Sequence, residues 1–328
     1  MQIRFRNLAA AAGLALTALL PLSAGAQDAA TWPNRPVSLV IPYPPGGTSD
    51  AVGRILAQRL REELGQSFVA ENKAGAATAI GATAVARAPK DGYTFLLSAG
   101  TTFTVIPHMN DKLQYKLEDF DPVAAVATVP FAFVVKKDFP AATIKEFADY
   151  AKANPGKINN ATNGQGSMVH LLGELVAQGL GIKMTHVHYK GAAPAMIDML
   201  AGVVDSNVEA LTSAVPNIEA GKYKALAVLS EERLPLLPNV PTFKELGYPS
   251  IVGETWYAVF APAGTPKPIV DKLNVALRKI TTSPAFIESM RKLGNDAKTS
   301  SPAELRELTL QQSKSWGEMI LKHGIKAE

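Results

Sequence analysis

The 328 residues contain no cysteine, which excludes disulfides, thiol chemistry and an acylated cysteine that would tether the chain to a membrane. No apolar run reaches the roughly 20 residues that a membrane-spanning helix needs, and the stretch from Leu8 to Leu20 stops short. Nor does one sign of charge prevail. The 33 basic and 29 acidic side chains leave a net +4, which falls to +2 once a leader carrying Arg4 and Arg6 is removed, and such a balance gives no electrostatic footprint for nucleic acid. Catalytic signatures are missing too: there is no G-x-S-x-G elbow, no Walker or Rossmann glycine pattern and no coherent Ser/His/Asp arrangement. Aromatics are few beside abundant alanine, glycine and valine, a composition suited to closely packed βα units.

What is present begins with the leader. A basic start at Arg4 and Arg6, the short apolar run and the small-residue triplet Ala24-Gly25-Ala26 read as a secretory signal peptide over residues 1–26. The mature chain is then expected to begin at Gln27 as a soluble, unanchored periplasmic protein. Its length of about 300 residues exceeds the usual single domain, so two α/β domains are expected.

The stretch Ile41-Pro42-Tyr43-Pro44-Pro45-Gly46-Gly47-Thr48-Ser49-Asp50 lies between an apolar run, Val37 to Ile41, and the three-and-four spacing of Val52, Ile55, Leu56 and Leu60. It therefore reads as a turn from a buried strand into a helix. Pro44 and Pro45 stiffen the entry, Gly46 and Gly47 permit a sharp bend close to a ligand, and Thr48, Ser49 and Asp50 are candidates to cap the helix. A helix start exposes N–H groups and the positive end of the dipole, a site for a carboxylate or phosphate worth ~0.3–1 kcal/mol when wet. An ordinary strand-to-helix connection fits the same letters.

Strands at 68–71 and 93–97 flank a helix at 79–87, and this alternation predicts a parallel sheet whose ligands sit at the C-terminal ends of the strands. Ser98-Ala99-Gly100-Thr101-Thr102 then falls beside the first turn, where its hydroxyls either hold a ligand oxygen or cap the next helix. Pro130 separates two apolar runs, 121–129 and 131–135, and marks a crossing between domains. Beyond it the opening pattern returns: a strand from Ile158 to Thr162, the turn Asn163-Gly164-Gln165-Gly166-Ser167, and a helix from Met168. A third such start runs from Met184 to Tyr189 through Lys190-Gly191-Ala192-Ala193-Pro194 to a helix at Ala195. Ile251 to Phe260 reads as a strand returning to the first domain, and the chain from Pro266 onward is largely helical. These crossings give a first lobe of 27–128 plus 250–328 and a second of 129–249. His186 and His188 share a strand face at period two, but no third ligand lies nearby in sequence, so they read as structural or rim histidines and no metal is expected.

Several segments carry a family resemblance by their order and spacing: Val40-Ile41-Pro42 through Asp50; Glu71-Asn72-Lys73-Ala74-Gly75-Ala76; Ala88-Pro89-Lys90-Asp91-Gly92-Tyr93-Thr94; and Tyr189-Lys190-Gly191. To these add Gly221-Lys222 through Ala225-Leu226-Ala227-Val228, Leu237-Pro238-Asn239-Val240-Pro241-Thr242 with Glu245-Leu246-Gly247, and Ala261-Pro262-Ala263-Gly264-Thr265-Pro266. Over nearly its whole mature length the chain resembles the periplasmic substrate-binding proteins of tripartite tricarboxylate transporters, the Bordetella uptake gene (Bug) or TctC-like family. The resemblance implies a two-lobed α/β periplasmic-binding-protein fold, type II-like, with a ligand cleft between the lobes. It further implies a small carboxylate ligand, membrane transporter subunits as partners, no cofactor, no catalysis and a monomer.

Carried onto this chain, one ligand turn comprises Tyr43, Pro44, Gly46, Gly47, Thr48 and Asp50, and the other Asn163, Gly164, Gly166 and Ser167. Ser98, Thr101, Thr102, Lys190, Gly191 and Ala192 are placed near the cleft. Glu209 and Trp256 stand where family members vary. Glu209 either demands a donor group on the ligand or is a solvated or helix-capping acid. A carboxylate sensor that docks on a membrane receptor kinase and a hydrolase of a carboxylate derivative are the competing readings.

Overall fold

A computed structural model describes residues 31–324. The expected signal peptide lies outside the described residues. Strands β1 (Val37–Ile41), β2 (Phe68–Asn72) and β3 (Thr94–Ala99) run parallel, with β1 in the middle. Helix α1 (Thr48–Leu64) joins β1 to β2, burying Val52, Leu56 and Leu60 and ending at a left-handed Gly65. It packs closely because Gly53 lies against the Ile41 side chain, where a Cβ would overlap. Helix α2 (Ala79–Ala86) covers the other face.

After the short α3 (Thr101–Thr104), β4 (Phe120–Val129) enters this same sheet, and β5 (Phe131–Lys136) belongs to a second one. The crossing falls at Pro130, which has no amide to give to either ladder. The second sheet also holds β6 (Asn159–Thr162), β7 (Thr185–His188), β8 (Ser206–Ala210) and β9 (Tyr223–Val228), in the order β7-β6-β8-β5-β9. Its β6, β7 and β8 are parallel. Helices α4 (Ile144–Ala153) and α5 (Met168–Leu180) cover one face, while α6 (Ala192–Leu200) and α7 (Leu211–Glu219) cover the other.

The return strand β10 (Thr255–Pro262) lies antiparallel between β3 and β4. It begins later than Ile251 because the Gly253 amide donates to Leu229 O, so the ladder starts only where Thr255 meets Val129. Then follow α8 (Lys267–Thr281), α9 (Pro284–Lys292), the edge strand β11 (Asp296–Ala297) and α10 (Pro302–His323). A continuous apolar cluster runs through both sheets' helix-covered faces. The segment leading into β10 packs on α5, with Leu172 against Gly253 and Ile251 against Gly179, and Thr212 Oγ1 of α7 donates at 2.6 Å to Leu293 O, which follows α9. Among the described residues, no helix is long and apolar enough to cross a membrane.

Candidate ligand-binding cleft

The turn after β1 departs from the capping that its letters suggest. Gly46 has φ +87, a conformation that glycine adopts at no steric cost. Gly47, extended at φ −88 and ψ 177, is the N-cap of α1, and no side chain caps the helix. Asp50 instead turns back, accepting the Gly46 amide at 3.0 Å and Arg54 Nε at 3.0 Å. The Arg54 guanidinium, with the Gly46 N–H, holds the Asp50 carboxyl down at about 2, so it stays charged. Ser49 Oγ donates to the Tyr257 hydroxyl at 2.9 Å. The first-turn amides of α1, which by helix geometry lack intrahelical acceptors, therefore open onto the turn without a side-chain cap. Pro44 is exposed and Thr48 half-buried beside them, and a Cβ on Gly47 would meet nothing within 4 Å. Half-buried Tyr43 completes the turn, its hydroxyl buried without a hydrogen-bond partner among the described residues.

The neighbouring strand ends are tied together by hydroxyls. Ser98 and Thr102 are wholly buried and bond to each other at 2.7 Å, Thr102 bonds to Thr78 at 3.0 Å, and the Tyr115 hydroxyl donates to Thr102 O. These hydroxyls are spent on one another and cap nothing, while Thr101 is half-buried at the start of α3. Thr78 belongs to a turn that the sequence did not reveal: Ala76, Ala77 and Thr78 are all left-handed, at φ 46, 49 and 82. Such geometry costs ~1–2 kcal/mol per non-glycine residue, and neither alanine nor threonine advertises it.

Trp256 faces away from the turn after β1. Its side chain is fully buried, the indole lies against Gly100, and Nε1 donates to Gln312 Oε1 at 2.8 Å on the face covered by α10. Side chains alternate along a strand, so Tyr257 takes the opposite face and meets Ser49.

On the second lobe, the turn after β6 has left-handed Gly164 and Gly166 flanking Gln165, with Asn163 half-buried. Here the helix is capped: Ser167 Oγ accepts the His170 amide at 3.2 Å, and the Gly166 amide donates to His170 Nδ1 at 3.0 Å. Gly164 approaches Tyr189 O, which sets this turn beside exposed Lys190, Gly191 at φ +111 and exposed Ala192. Helix α6 begins there, three residues earlier than its pattern implied, with Pro194 accommodated in its first turn. Glu209 is neither solvated nor a cap. It is 6% exposed on β8, paired with Ala132, burial pushes its carboxyl up to about 7 against the opposing pull of the Ser213 hydroxyl, and Oε2 has no hydrogen-bond partner among the described residues.

Met109, which follows α3, presses its methyl on Gly166, so the segment after β3 meets the turn after β6. His170, Glu174 and His186 bring three possible metal-ligand atoms within 4.8 Å of one another, a grouping hidden from sequence by the helix-to-strand contact. A shallow depression lined by Arg35, Asp91 and Tyr93 lies at the opposite ends of β1 and β3, where Arg35 already pairs with Asp91 and stacks on the Tyr93 ring.

The profile of the tripartite tricarboxylate transporter family receptor, TctC, matches residues 52–325. The chain belongs to this family. The receptor is 39% identical to the periplasmic binding protein BugD, whose structure superposes with a TM-score of 0.79 over 90% of this chain and 100% of that one. It is 33% identical to Rpa4515 of R. palustris, solved with adipate, with a TM-score of 0.83 over 90% and 100% of the two chains. It is 32% identical to MatC of Rhodopseudomonas palustris, solved with bound malate, with a TM-score of 0.77 over 88% and 100%. The type II-like, two-lobed α/β architecture of the solute-binding proteins is thus that of this receptor.

Proposed function

We propose that the receptor captures a small dicarboxylate in the crevice between its lobes, residues 27–128 plus 250–328 forming one and 129–249 the other. It acts as a soluble periplasmic monomer that presents the ligand, chemically unchanged, to the membrane subunits of a tripartite tricarboxylate transporter. What supports this reading is the uncapped start of α1 at Gly47, with Met109 from the same lobe resting on Gly166 of the Asn163–Ser167 turn. One carboxylate sits on the amides near Gly47, Thr48 and Ser49, close to the buried Tyr43 hydroxyl; the other end is met by the second turn and Lys190 to Ala192. The relatives solved with adipate and malate support a ligand that carries an acid at each end.

Micromolar affinity needs about 8 kcal/mol. Hydrogen bonds to a charged group contribute about 1.5–3 kcal/mol each, so two amides at each end supply about 6–12 kcal/mol before the cost of association, and apolar contacts with the crevice walls must supply the rest. Amides and hydroxyls hold the acid without the desolvation cost of a buried arginine. A ligand that touches both lobes favours the closed state over the open one. Calorimetry and thermal shift with adipate, malate and the monoacid hexanoate test the reading. A diacid at a hundred times its Kd is expected to add about 2.7 kcal/mol of stability, with hexanoate weaker. Binding of no carboxylate, or turnover of a carboxylate ester by the purified receptor, refutes it.

A further inference from the structure

The His170, Glu174 and His186 cluster lies directly behind the second-lobe turn. His170 and Glu174 are one turn apart on α5, and Gly173 between them lets the helix lie close on the strands: a Cβ there would come within 2.8 Å of Asn160 Nδ2 and 3.0 Å of His186 Cε1. The direction of each proton follows from groups that cannot reverse. The Gly166 amide only donates, so His170 Nδ1 carries a lone pair and the ring proton sits on Nε2, which faces Glu174 Oε1 at 3.9 Å. The Ala161 carbonyl only accepts, so Asn160 Nδ2 is the nitrogen that bonds it at 3.3 Å and its other hydrogen goes to His186 Nδ1, with Ser206 Oγ donating to Oδ1; His186 Nε2–H then meets Glu174 Oε1 at 3.3 Å. Glu174 thus faces two neutral imidazole N–H groups.

This arrangement disfavours a metal. A metal on Nε2 of His170 moves the ring proton to Nδ1, where it points at the Gly166 N–H and breaks that bond. We propose that His170 is a positioning residue for ligand capture: its unprotonated Nδ1 anchors the Gly166 amide and so shapes the Asn163–Ser167 turn, while the Glu174 carboxylate, 3.9 Å from Nε2, favours a proton on that side and His186 packs edge-on against the ring. The proposal rests on the reading of that turn as one end of the ligand site.

Acid acts through the same atom. Protonated His170 presents N–H to N–H at Gly166, so the turn is released. The groups that face the ring are His186 and His188 on β7, whose rings lie 5.0 and 4.7 Å away, and Glu174 on its own helix. Burial first, then the two neighbouring histidines, hold His170 down at about 4 against the opposing pull of Glu174.

Three variants test the assignment. His170→Asn places an amide oxygen at the Nδ1 position and keeps the acceptor; His170→Gln reaches only the Nε2 position; His170→Leu offers neither. Calorimetry with adipate and malate is expected to find the Asn variant within about threefold of wild type and the other two weaker by about tenfold, as an unmade buried hydrogen bond implies. Wild type loses affinity relative to the Asn variant as pH falls through about 4. Exchange of the Gly166 amide, followed without ligand, is expected to stay slow in wild type and the Asn variant and to quicken in the Leu variant. This readout separates the inference from the ligand assignment: protection that follows the acceptor supports it even if no carboxylate binds. Equal protection in all four proteins overturns the inference, as does zinc stabilising wild type and not the Asn variant.

Discussion

Gly47→Asp separates the stability of α1 from its use by a ligand. The backbone at φ −88 and ψ 177 is already that of an N-cap, and a Cβ there meets no neighbour within 4 Å. Its carboxylate therefore accepts the amide of Ser49 or Asp50. Capping relative to glycine contributes a few tenths of a kcal/mol, the dipole ~0.3–1 and the lost freedom of the unfolded chain ~0.4–1. With Asp50 neutralised by Arg54, the net gain is expected near 1 kcal/mol, read as a higher urea midpoint at unchanged m. Binding moves the other way. A ligand carboxylate loses its amides and meets a like charge at about 4 Å, worth about 4 kcal/mol at an effective dielectric of 20. Calorimetry with the tightest of the tested diacids is expected to show at least a hundredfold loss, or about 2.7 kcal/mol. Gly47→Asn, an acceptor without charge, is expected to lose about tenfold. A stabilised Asp variant that binds within threefold of wild type refutes the reasoning, because the cap has then formed on amides that the ligand does not use.

Two further outcomes concern stability alone. Ala77→Gly relieves ~1–2 kcal/mol of left-handed strain and returns ~0.4–1 to the unfolded chain, so a stabilisation of about 0.5–1 kcal/mol is expected in urea melts; a destabilised variant counts against the assigned φ. His170 and Glu209 titrate in opposite senses. His170 falls from 6.5 unfolded to about 4 folded, so its roughly 3 kcal/mol is present above pH 6.5 and lost as pH falls towards 4. Glu209 rises from 4.5 to about 7, so its similar contribution is present below pH 4.5 and lost as pH climbs to 7. Relative to wild type, Glu209→Gln is expected to gain stability from pH 4.5 to 7, and His170→Asn to gain it from pH 6.5 down to 4. Parallel curves for wild type and either variant contradict the buried assignments.

Most of the scaffold was legible in the letters because it depends on local rules. Val52, Leu56 and Leu60 declared α1, Gly65 its stop, and Pro130 the place where the chain leaves one sheet for the other. Both glycine turns were visible for the same reason, and Gly46, Gly164 and Gly166 make those turns in left-handed conformations. What escaped depends on tertiary partners. Whether Thr48, Ser49 or Asp50 caps α1 was decided by Arg54 and Tyr257, and whether Trp256 or Tyr257 flanks the turn was decided by β10 having two covered faces. His170 looked like one more residue of an apolar helix until α5 was laid on β7, and the strain at Ala76, Ala77 and Thr78 has no signal in those side chains.

Under the proposed function, the unequal finish of the two helix starts implies an order of events. At α1 the first-turn amides carry no side-chain cap, Asp50 taking only the Gly46 amide, so that lobe is the berth for an arriving acid. At α5, Ser167 and His170 have already engaged two amides, and what remains counts once both lobes touch the ligand. On that reading arrival is governed by one half of the receptor and residence by the other, and mutations on the two sides are expected to divide between the on-rate and the off-rate.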